Sequence, residues 1–276
     1  MGSKKSWFKS PAEAASTWVL RQSPRARTAL GCAAFLAAVV LLGLFFGDQY
    51  HVFMGSKAFH AISIFLLVYK LLKDRTCAGL SLKSQELTAL FLLVRLHCDR
   101  EMPYDIQRML SSASLIATLW VVYMIRVTLK ASYMWDKDNF CMHYVVMACA
   151  LLALLVHPHS KESLVDRILW AFCCYLETVS VMPQLRLMQN TKVVESITAH
   201  YVFALAVARF LSCANWILQI VFSRGTILLG LGYGFWPGMF LLSEILQTFI
   251  FTDFCYYYLK SIVERHPVLR LPSDAV

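Results

Sequence analysis

The segment CYLETVSVMPQL, residues 174–185, places one carboxylate, Glu177, in a run that is otherwise apolar or weakly polar. An ionised side chain at the centre of a membrane helix costs about 2.5–3.5 kcal/mol on insertion scales, so Glu177 is expected to face a bundle interior or a wet cavity. The segment ends in Pro183 and Gln184. Because proline lacks an amide hydrogen and disfavours helix at the residue before it, we expect a kink or helix end there. The freed carbonyls would be available to Gln184 or Arg186.

The composition of the whole chain supports a membrane setting. Of its 276 residues, 58% are hydrophobic and 16% are charged, whereas soluble domains carry about 25% charged residues. The net charge of +9 comes from short basic clusters between apolar runs. This pattern is typical of membrane orientation, and no nucleic-acid partner is expected. The nine cysteines form no CxxC motif and no zinc spacing, so we expect no metal site.

Eight apolar runs are long enough, or nearly long enough, to cross a bilayer. They are residues 28–46, 52–72, 84–97, 109–125, 140–156, 165–183, 197–222 and 238–259. Of the 26 Lys and Arg residues, 18 lie in loops on the side of the N-terminus, seven lie on the opposite side, and Arg209 lies inside a run. The positive-inside rule then places both termini in the cytosol.

These runs predict the organisation of the chain. A basic cytosolic tail spans 1–27, an extra transmembrane helix spans 28–46, one membrane domain spans 52–260, and a short cytosolic tail spans 261–276. The first run has no clear small-x-small cleavage site after it, which favours an anchor helix over a cleaved signal peptide. A weak internal repeat is visible within the membrane domain. GLSLKSQ at 79–85 and ESITAHY at 195–201 lie about 117 residues apart, and each opens a helix after a basic loop.

The ionisable side chains inside the runs are few: His60, His143, Glu177, His200, Arg209, Glu244 and Asp253. Glu177 and Arg209 lie on consecutive runs, and an ion pair between them would lower the desolvation cost of both. Two interpretations of such a pair stay open: a buried staple between helices, or part of a polar cavity that holds a ligand. The chain has no Walker loop, GxSxG, HExxH or kinase motifs. We therefore expect neither an enzyme nor a cofactor.

Two further residues allow both a structural and a functional interpretation. His60 is either a hydrogen-bonded core residue or a pH-responsive group, since histidine alone has an unperturbed pKa in the range of secretory compartments. Arg95, at the end of the short third run, either marks the membrane boundary or binds a carboxylate through two parallel hydrogen bonds.

Four stretches carry a resemblance to a known family. They are TCAGLSLKSQELTALFLLVR at 76–95, ILWAFCCYLETVSVMPQL at 168–185, ESITAHYVFALAVARFLSCANW at 195–216 and LQTFIFTDFCYYYL at 246–259. Together they resemble the endoplasmic reticulum lumen protein-retaining receptors, or KDEL receptors, over roughly residues 55–272. The additional first helix is similar to a plant receptor-like branch of that family.

The resemblance implies an all-α membrane protein, with a seven-helix bundle of two triple-helix repeats and one extra N-terminal helix. Such repeats are similar to those of sugar transporters with Pro-Gln loops. The family binds the C-terminal tetrapeptide of escaped luminal proteins in the acidic Golgi and returns those proteins to the endoplasmic reticulum. Expected partners are therefore C-terminal peptide signals, the lipid bilayer and vesicle coat machinery. The expected location is the endoplasmic reticulum and Golgi membranes.

The resemblance also implies roles for eight residues. In ligand binding, Arg95 would hold the peptide carboxylate, and three more residues would contribute to the pocket: Trp170, Asn215 and Trp216. His60 would sense protons and Glu177 would couple to it. Two residues would give buried polar support: Arg209 and Asp253.

Other positions depart from the family pattern. The two arginines that hold acidic side chains of the signal correspond here to Phe53 and Gln219, and two pocket tyrosines correspond to Ala208 and Ser212. The tail RHPVLRLPSDAV, at 265–276, has no lysine for coat-mediated retrieval. These departures predict an altered signal specificity. They also leave two alternatives: a small-molecule transporter on the same repeat fold, or a trafficking partner that has lost ligand binding because Phe53 fills the pocket.

Overall fold

The computed structural model describes residues 49–98, 105–159, 162–191, 193–224, 234–263 and 269–270. The predicted tail over 1–27 and the predicted extra helix over 28–46 lie outside these residues and stay predictions. So does most of the predicted tail over 261–276.

The described residues form eight α-helices. In chain order they are α1 (Gln49–Asp74), α2 (Leu82–Cys98), α3 (Asp105–Tyr123), α4 (Met142–Leu155), α5 (Leu164–Val179), α6 (Met182–Thr191), α7 (Ser196–Phe222) and α8 (Trp236–Val263). A π-helical turn, Met124–Thr128, extends α3, and a 3₁₀ turn, Lys130–Ser132, follows it. Two short strands, β1 (Val193–Val194) and β2 (Leu269–Arg270), pair antiparallel.

Five segments are long and apolar enough to cross a membrane by themselves. They are Val52–Asp74, Arg108–Thr128, Leu164–Thr191, Ser196–Phe222 and Trp236–Leu259. The third of these contains both α5 and α6. With the shorter α2 and α4, the described residues hold seven spans, which confirms the predicted number for the membrane domain. Helix α2 has only 17 residues, so it rises about 26 Å and is shorter than the roughly 30 Å hydrocarbon core.

The predicted break before Pro183 is present. Helix α5 ends at Val179 and α6 begins at Met182. The Ser84 hydroxyl donates a hydrogen bond to the carbonyl of Ser180 at 2.7 Å, so a side chain from α2 satisfies a carbonyl at the break. The expectation that Gln184 would do this is wrong, because Gln184 reaches residues before α2 instead.

In chain order the spans fall into two groups of three, α1–α3 and α5–α8, with α4 between them. Each group is called a triple-helix unit here. The units are joined reciprocally. Helix α5 packs on α2 and α8, and the first helix of the first unit contacts α7, because Ser56 Oγ donates to the carbonyl of Ala208 at 2.9 Å. The first helix of each unit thus contacts the second helix of the other.

Polar anchors fix the N-terminal end of each second helix. At the start of α2, the Ser81 amide donates to Gln184 Oε1 at 2.8 Å, and Gln184 Nε2 donates to the carbonyl of Gly79 at 2.8 Å. At the start of α7, Lys70 Nζ donates to Thr198 Oγ1 at 2.5 Å. The two anchored positions, Ser81 and Thr198, lie within the two repeated segments and are 117 residues apart. The weak sequence repeat therefore marks a structural one.

Lys70 is buried, with 1% of its side chain exposed. Besides Thr198, its ammonium contacts Glu195 Oε2 at 2.6 Å and the carbonyl of Ala78 at 2.7 Å. A buried ammonium is tolerated only when it is paired and hydrogen-bonded. The three contacts meet that requirement for Lys70, and they link the segments that precede α2 and α7.

The loop after α3 joins the same end of the bundle. Asp138 Oδ2 accepts hydrogen bonds from Ser81 Oγ at 2.8 Å and from the Tyr133 hydroxyl. Burial, followed by the hydrogen bond to Asp138, raises the pKa of Tyr133 well above its ordinary value. The tyrosine therefore keeps its proton and remains a donor to Asp138.

Two apolar clusters pack the interior on either side of a polar layer. One includes Leu71, Val121, Val202 and Phe251, and the other includes Phe91, Ala171, Trp236 and Phe240. Many large apolar side chains point outward, among them Phe65, Ile116, Leu155 and Phe249. An apolar exterior of this kind suits a lipid-facing surface.

Candidate functional site

The polar layer is built around Glu177, a buried residue of α5 that lies two residues before the helix ends at Val179. Its side chain is 7% exposed. Arg95 Nη1 donates to Glu177 Oε1 at 2.9 Å, and Arg209 Nη1 donates to the same oxygen. The predicted ion pair between Glu177 and Arg209 is confirmed, and a second arginine joins it. One carboxylate oxygen thus holds guanidinium groups from α2 and α7.

Each arginine has a different environment. Arg209 is 11% exposed, and its guanidinium lies over the Phe91 ring, 5.9 Å from the ring centroid. Arg95 is more accessible, at 27% exposed. Because Arg95 stands at the end of α2 and Arg209 in the middle of α7, Arg95 is the one that a ligand reaches more easily.

An interior cavity, here called the arginine cavity, opens between α1, α2, α3, α5 and α7. Its ionisable lining residues are Lys57, His60, Arg95, Glu177 and Arg209. It holds three basic side chains and one carboxylate, so its charge favours an anionic ligand group. Four hydroxyl groups complete the polar lining: Ser56, Ser111, Ser114 and Ser212.

A second cavity, here called the hydroxyl cavity, shares His60, Phe91, Glu177 and Arg209 with the first. Its other polar lining residues carry hydroxyl or amide groups, among them Ser84, Gln85, Thr178, Tyr201 and Gln247. The two cavities border the same four residues. The Glu177–Arg209 pair is therefore both a staple between helices and a wall of a polar cavity, so the two interpretations left open by the sequence are compatible.

His60 lines both cavities together with Glu177 and Arg209. Its carbonyl accepts a hydrogen bond from Ser63 Oγ at 2.6 Å, whereas among the described residues no side chain hydrogen-bonds its imidazole. The sequence interpretation of His60 as a core histidine satisfied by hydrogen bonds therefore has no support in the described contacts. His60 shares the arginine cavity with one carboxylate, Glu177, and with three cations, Lys57, Arg95 and Arg209. Its predicted role in pH sensing stays a prediction.

Phe53 does not enter the lining of the arginine cavity as the described residues form it. The Lys57 ammonium lies over its ring instead, 5.4 Å from the ring centroid. The cavity is not filled by Phe53, so this reason for a loss of ligand binding is absent.

The predicted pocket tryptophans lie in an aromatic cluster. The Trp170 ring lies tilted against the Trp236 ring, with the centroids 5.2 Å apart, and the Trp216 ring meets the Phe240 ring edge-on, with the centroids 4.7 Å apart. Neither tryptophan lines the arginine cavity among the described residues. Their assignment as ligand contacts stays a prediction, as does that of Asn215, which lies beside Trp216 on α7 and is buried.

Asp253 lies in α8, but its side chain is outside the described residues, so its predicted supporting role stays a prediction. Other site residues escaped the sequence interpretation. Lys57, Ser56, Ser111 and Ser114 were not singled out, because each is a single polar residue in the outer part of an apolar run. Ser212 was noted only as standing where the family has a pocket tyrosine. Glu244 was noted only as an intramembrane acid.

The fold and the site define a class: a multi-pass helical membrane protein of two triple-helix units, with a basic cavity between them. Comparison with known sequences identifies its family. Residues 76–219, more than half of the chain, match the family described as ER lumen protein retaining receptor. The chain belongs to this family.

Relatives from distant organisms agree with this assignment. The ER lumen protein-retaining receptor of Drosophila melanogaster is 33% identical over 219 residues, which cover 78% of this chain and 95% of the relative. ER lumen protein-retaining receptor A of Arabidopsis thaliana is 34% identical over 218 residues, which cover 78% of this chain and 95% of the relative. The ER lumen protein-retaining receptor of Dictyostelium discoideum is 33% identical over 215 residues, which cover 76% of this chain and 93% of the relative.

Proposed function

We propose that this protein is a receptor of the early secretory pathway that binds C-terminal signals of luminal proteins and returns those proteins from the Golgi to the endoplasmic reticulum. The observation that carries this proposal is the basic arginine cavity. Two arginines pair with Glu177 there, and Arg95 is more accessible than Arg209. Membership of the retaining-receptor family supports the same function. The protein acts as a receptor and not as an enzyme.

Arg95 is the group that holds the terminal carboxylate of the signal. In the ligand-free arrangement it donates to Glu177 at 2.9 Å. An incoming carboxylate competes with Glu177 for this guanidinium, and charge-assisted bonds to arginine are the strong ones. Glu177 keeps Arg209 as a partner after the exchange, so ligand binding leaves no buried carboxylate unpaired. Trp170, Asn215 and Trp216 are assigned to the remaining pocket wall, as the resemblance implies.

His60 and Glu177 couple binding to pH. Both line the arginine cavity, and a proton on the imidazole adds a positive charge beside the ligand carboxylate. Histidine is the side chain whose charge changes between neutral and mildly acidic pH. Binding in the more acidic compartment and release in the more neutral one follow from that added charge.

The orientation and the location complete the proposal. Of the 26 Lys and Arg residues, 18 lie in the loops on the side of the N-terminus, so both termini are assigned to the cytosol. The apolar exterior of the bundle faces lipid in endoplasmic reticulum and Golgi membranes. Vesicle coat machinery is the expected cytosolic partner, although the tail over 265–276 has no lysine.

Peptide binding to the purified full chain tests this function. Peptides ending in Lys-Asp-Glu-Leu and in alternative tails, each with a free or an amidated C-terminus, are titrated at pH 5.5 and 7.2. We expect a free carboxylate to be required, tighter binding at the lower pH, and a loss of about tenfold or more in Arg95→Ala. Arg126→Ala is the matched control, since Arg126 pairs with Glu86 outside the cavity. Saturable binding to no tail, or equal binding by Arg95→Ala, would contradict the proposal.

A cellular assay tests the retrieval step. In cells that lack their ordinary retaining receptor, the full chain should return a secreted reporter carrying the best-binding tail, and the Arg95→Ala variant should not.

A further inference from the structure

A second buried carboxylate lies next to the arginine cavity. Glu244, on α8, is 8% exposed. Among the described residues its carboxylate accepts one hydrogen bond, a long one of 3.4 Å from Ser212 Oγ. Ser212 itself lines the arginine cavity. Glu244 therefore stands directly behind a cavity wall, with most of its hydrogen-bonding capacity unused.

Two neighbouring amide oxygens are also without a partner. Gln247 Oε1 and Asn215 Oδ1 are buried and accept no hydrogen bond. Gln247 follows Glu244 by three residues on α8, and Asn215 follows Ser212 by three residues on α7, so each pair lies on one helix face. The interface of α7 and α8 thus carries three side chains that offer oxygen acceptors and meet few donors.

The orientation of Gln247 follows from its contacts. The Thr178 hydroxyl donates to the carbonyl of Cys174 at 2.9 Å, so it accepts the bond from Gln247 Nε2 at 3.1 Å. The amide nitrogen is thereby directed to Thr178, and Oε1 is the atom without a partner. An exchange of the two amide atoms would break this bond.

Buried acceptors of this kind require donors. A carboxylate removed from water is unfavourable unless it is paired and hydrogen-bonded, and an ammonium offers three donors together with a compensating charge. The cations of the arginine cavity do not serve Glu244 in the described contacts, since Arg95 and Arg209 both donate to Glu177. A donor that comes with the ligand can fill this place.

The charges are also distributed unevenly around the cavity. Three cations line the cavity, Lys57 on α1, Arg95 on α2 and Arg209 on α7. The acid Glu244 on α8 lies behind Ser212, which follows Arg209 by three residues on α7. A ligand with a carboxylate at one point and a cation at another matches this arrangement.

Resting on the proposed function, we propose that Glu244, with Gln247 and Asn215, forms a subsite for a basic side chain of the C-terminal signal, reached past Ser212. The terminal carboxylate binds Arg95 while a lysine or arginine side chain upstream of it donates to Glu244. The protein then selects tails that are basic near the C-terminus and discriminates against tails that are acidic there.

A peptide series on the wild-type full chain provides the first test. The second and the third residue from the C-terminus are each replaced in turn by lysine, by norleucine, which keeps the length but lacks the ammonium, and by glutamate. At one of the two positions we expect the lysine tail to bind about tenfold tighter than the norleucine tail, and the glutamate tail to bind weakest. Equal binding of lysine and norleucine tails at both positions would overturn the subsite.

The Glu244→Gln variant provides the second test. We expect the preference for lysine over norleucine to fall to within about twofold, while binding of the norleucine tail stays unchanged. Glu86→Gln is the matched control, because Glu86 pairs with Arg126 away from the cavity. An undiminished lysine preference in Glu244→Gln means that Glu244 is only a buried structural acid.

The outcomes separate the two proposals. If no tail binds, the receptor function itself fails. If tails bind through Arg95 without a lysine preference, the receptor function survives and the basic subsite fails.

Free lysine, which carries the same two charged groups, serves as a competitor. We expect it to displace the peptide at least about a hundredfold less well than an unlabelled peptide, and equal displacement would show that the ligand is a free amino acid and not a peptide tail.

Discussion

The side-chain oxygen of Gln184 accepts a hydrogen bond from the backbone amide of Ser81 at 2.8 Å, although the two residues are 103 positions apart in the sequence. The same side chain donates to the Gly79 carbonyl at 2.8 Å. One glutamine therefore satisfies a donor and an acceptor at the start of α2, and it is completely buried. The role of the Pro-Gln pair follows from this: the proline ends α5, and the glutamine ties the new helix to the other triple-helix unit.

Replacing Gln184 by leucine should destabilise the fold. The change keeps much of the volume but leaves the Ser81 amide and the Gly79 carbonyl without partners, at about 1–3 kcal/mol for each group. Thermal unfolding of the detergent-solubilised chain measures the loss. Gln189→Leu, on the same helix, is the control, because Gln189 is only partly buried and no side-chain hydrogen bond joins it to the described residues. Equal melting temperatures of the two variants would refute the anchoring role.

Replacing Lys70 by methionine should have a comparable effect at the other anchor. Methionine has a similar length but no ammonium, so the contacts to Ala78, Thr198 and Glu195 are lost together. We expect a loss of about 1–3 kcal/mol in the free energy of unfolding. Lys73→Met, on an exposed part of the same helix, should change it by less than about 0.5 kcal/mol. A small effect at both positions would mean that the buried ammonium contributes little.

Replacing Glu177 by glutamine should change stability and ligand response in opposite directions. Arg95 and Arg209 lose their shared carboxylate, and breaking a buried pair in this way costs about 3–5 kcal/mol. A ligand that brings its own carboxylate to Arg95 restores part of this loss. We therefore expect a lower melting temperature without peptide and a larger peptide-induced increase than in the wild type. If the increase is equal or smaller, Arg95 does not exchange Glu177 for the ligand.

The hydrogen bond between Tyr133 and Asp138 should make the stability of the fold depend on pH in alkaline solution. Burial and the bond to Asp138 raise the pKa of Tyr133 above that of an unfolded tyrosine. A group with a raised folded-state pKa contributes its full stability below the unfolded pKa, which is about 10 for tyrosine, and the contribution falls as the pH rises above that value. The stability difference between wild type and Tyr133→Phe should therefore be constant from pH 7 to 9 and decrease above about 10. A difference that does not change with pH would contradict the buried contact.

The spans and the Glu177–Arg209 pair were predictable because both follow from local rules. Apolar runs of membrane length identify helices, and two opposite charges on consecutive spans have few other partners in a bilayer. The proline break before Gln184 follows from the covalent structure of proline. These features depend on one segment or on two neighbouring segments.

The third partner of the ion pair was not predictable in the same way. Arg95 at the end of α2 had two equal interpretations, and only the packing of α2 on α5 brings it to Glu177 Oε1. The burial of Lys70 is a similar case. Nothing near Lys70 in the sequence reveals that Glu195 and Thr198 will surround its ammonium. The unused acceptors of Glu244 and Gln247 likewise arise only where α7 meets α8.

The contact between Lys70 and Thr198 also determines when, during synthesis of the chain, this anchor can form. Thr198 is made 128 residues after Lys70, which takes about 6–25 s at 5–20 residues per second. During most of that interval the Lys70 ammonium has only one of its three final partners, the carbonyl of Ala78. The first half of the protein is therefore incomplete until the second half is made, and a chain that ends before Glu195 lacks two of the three partners of Lys70.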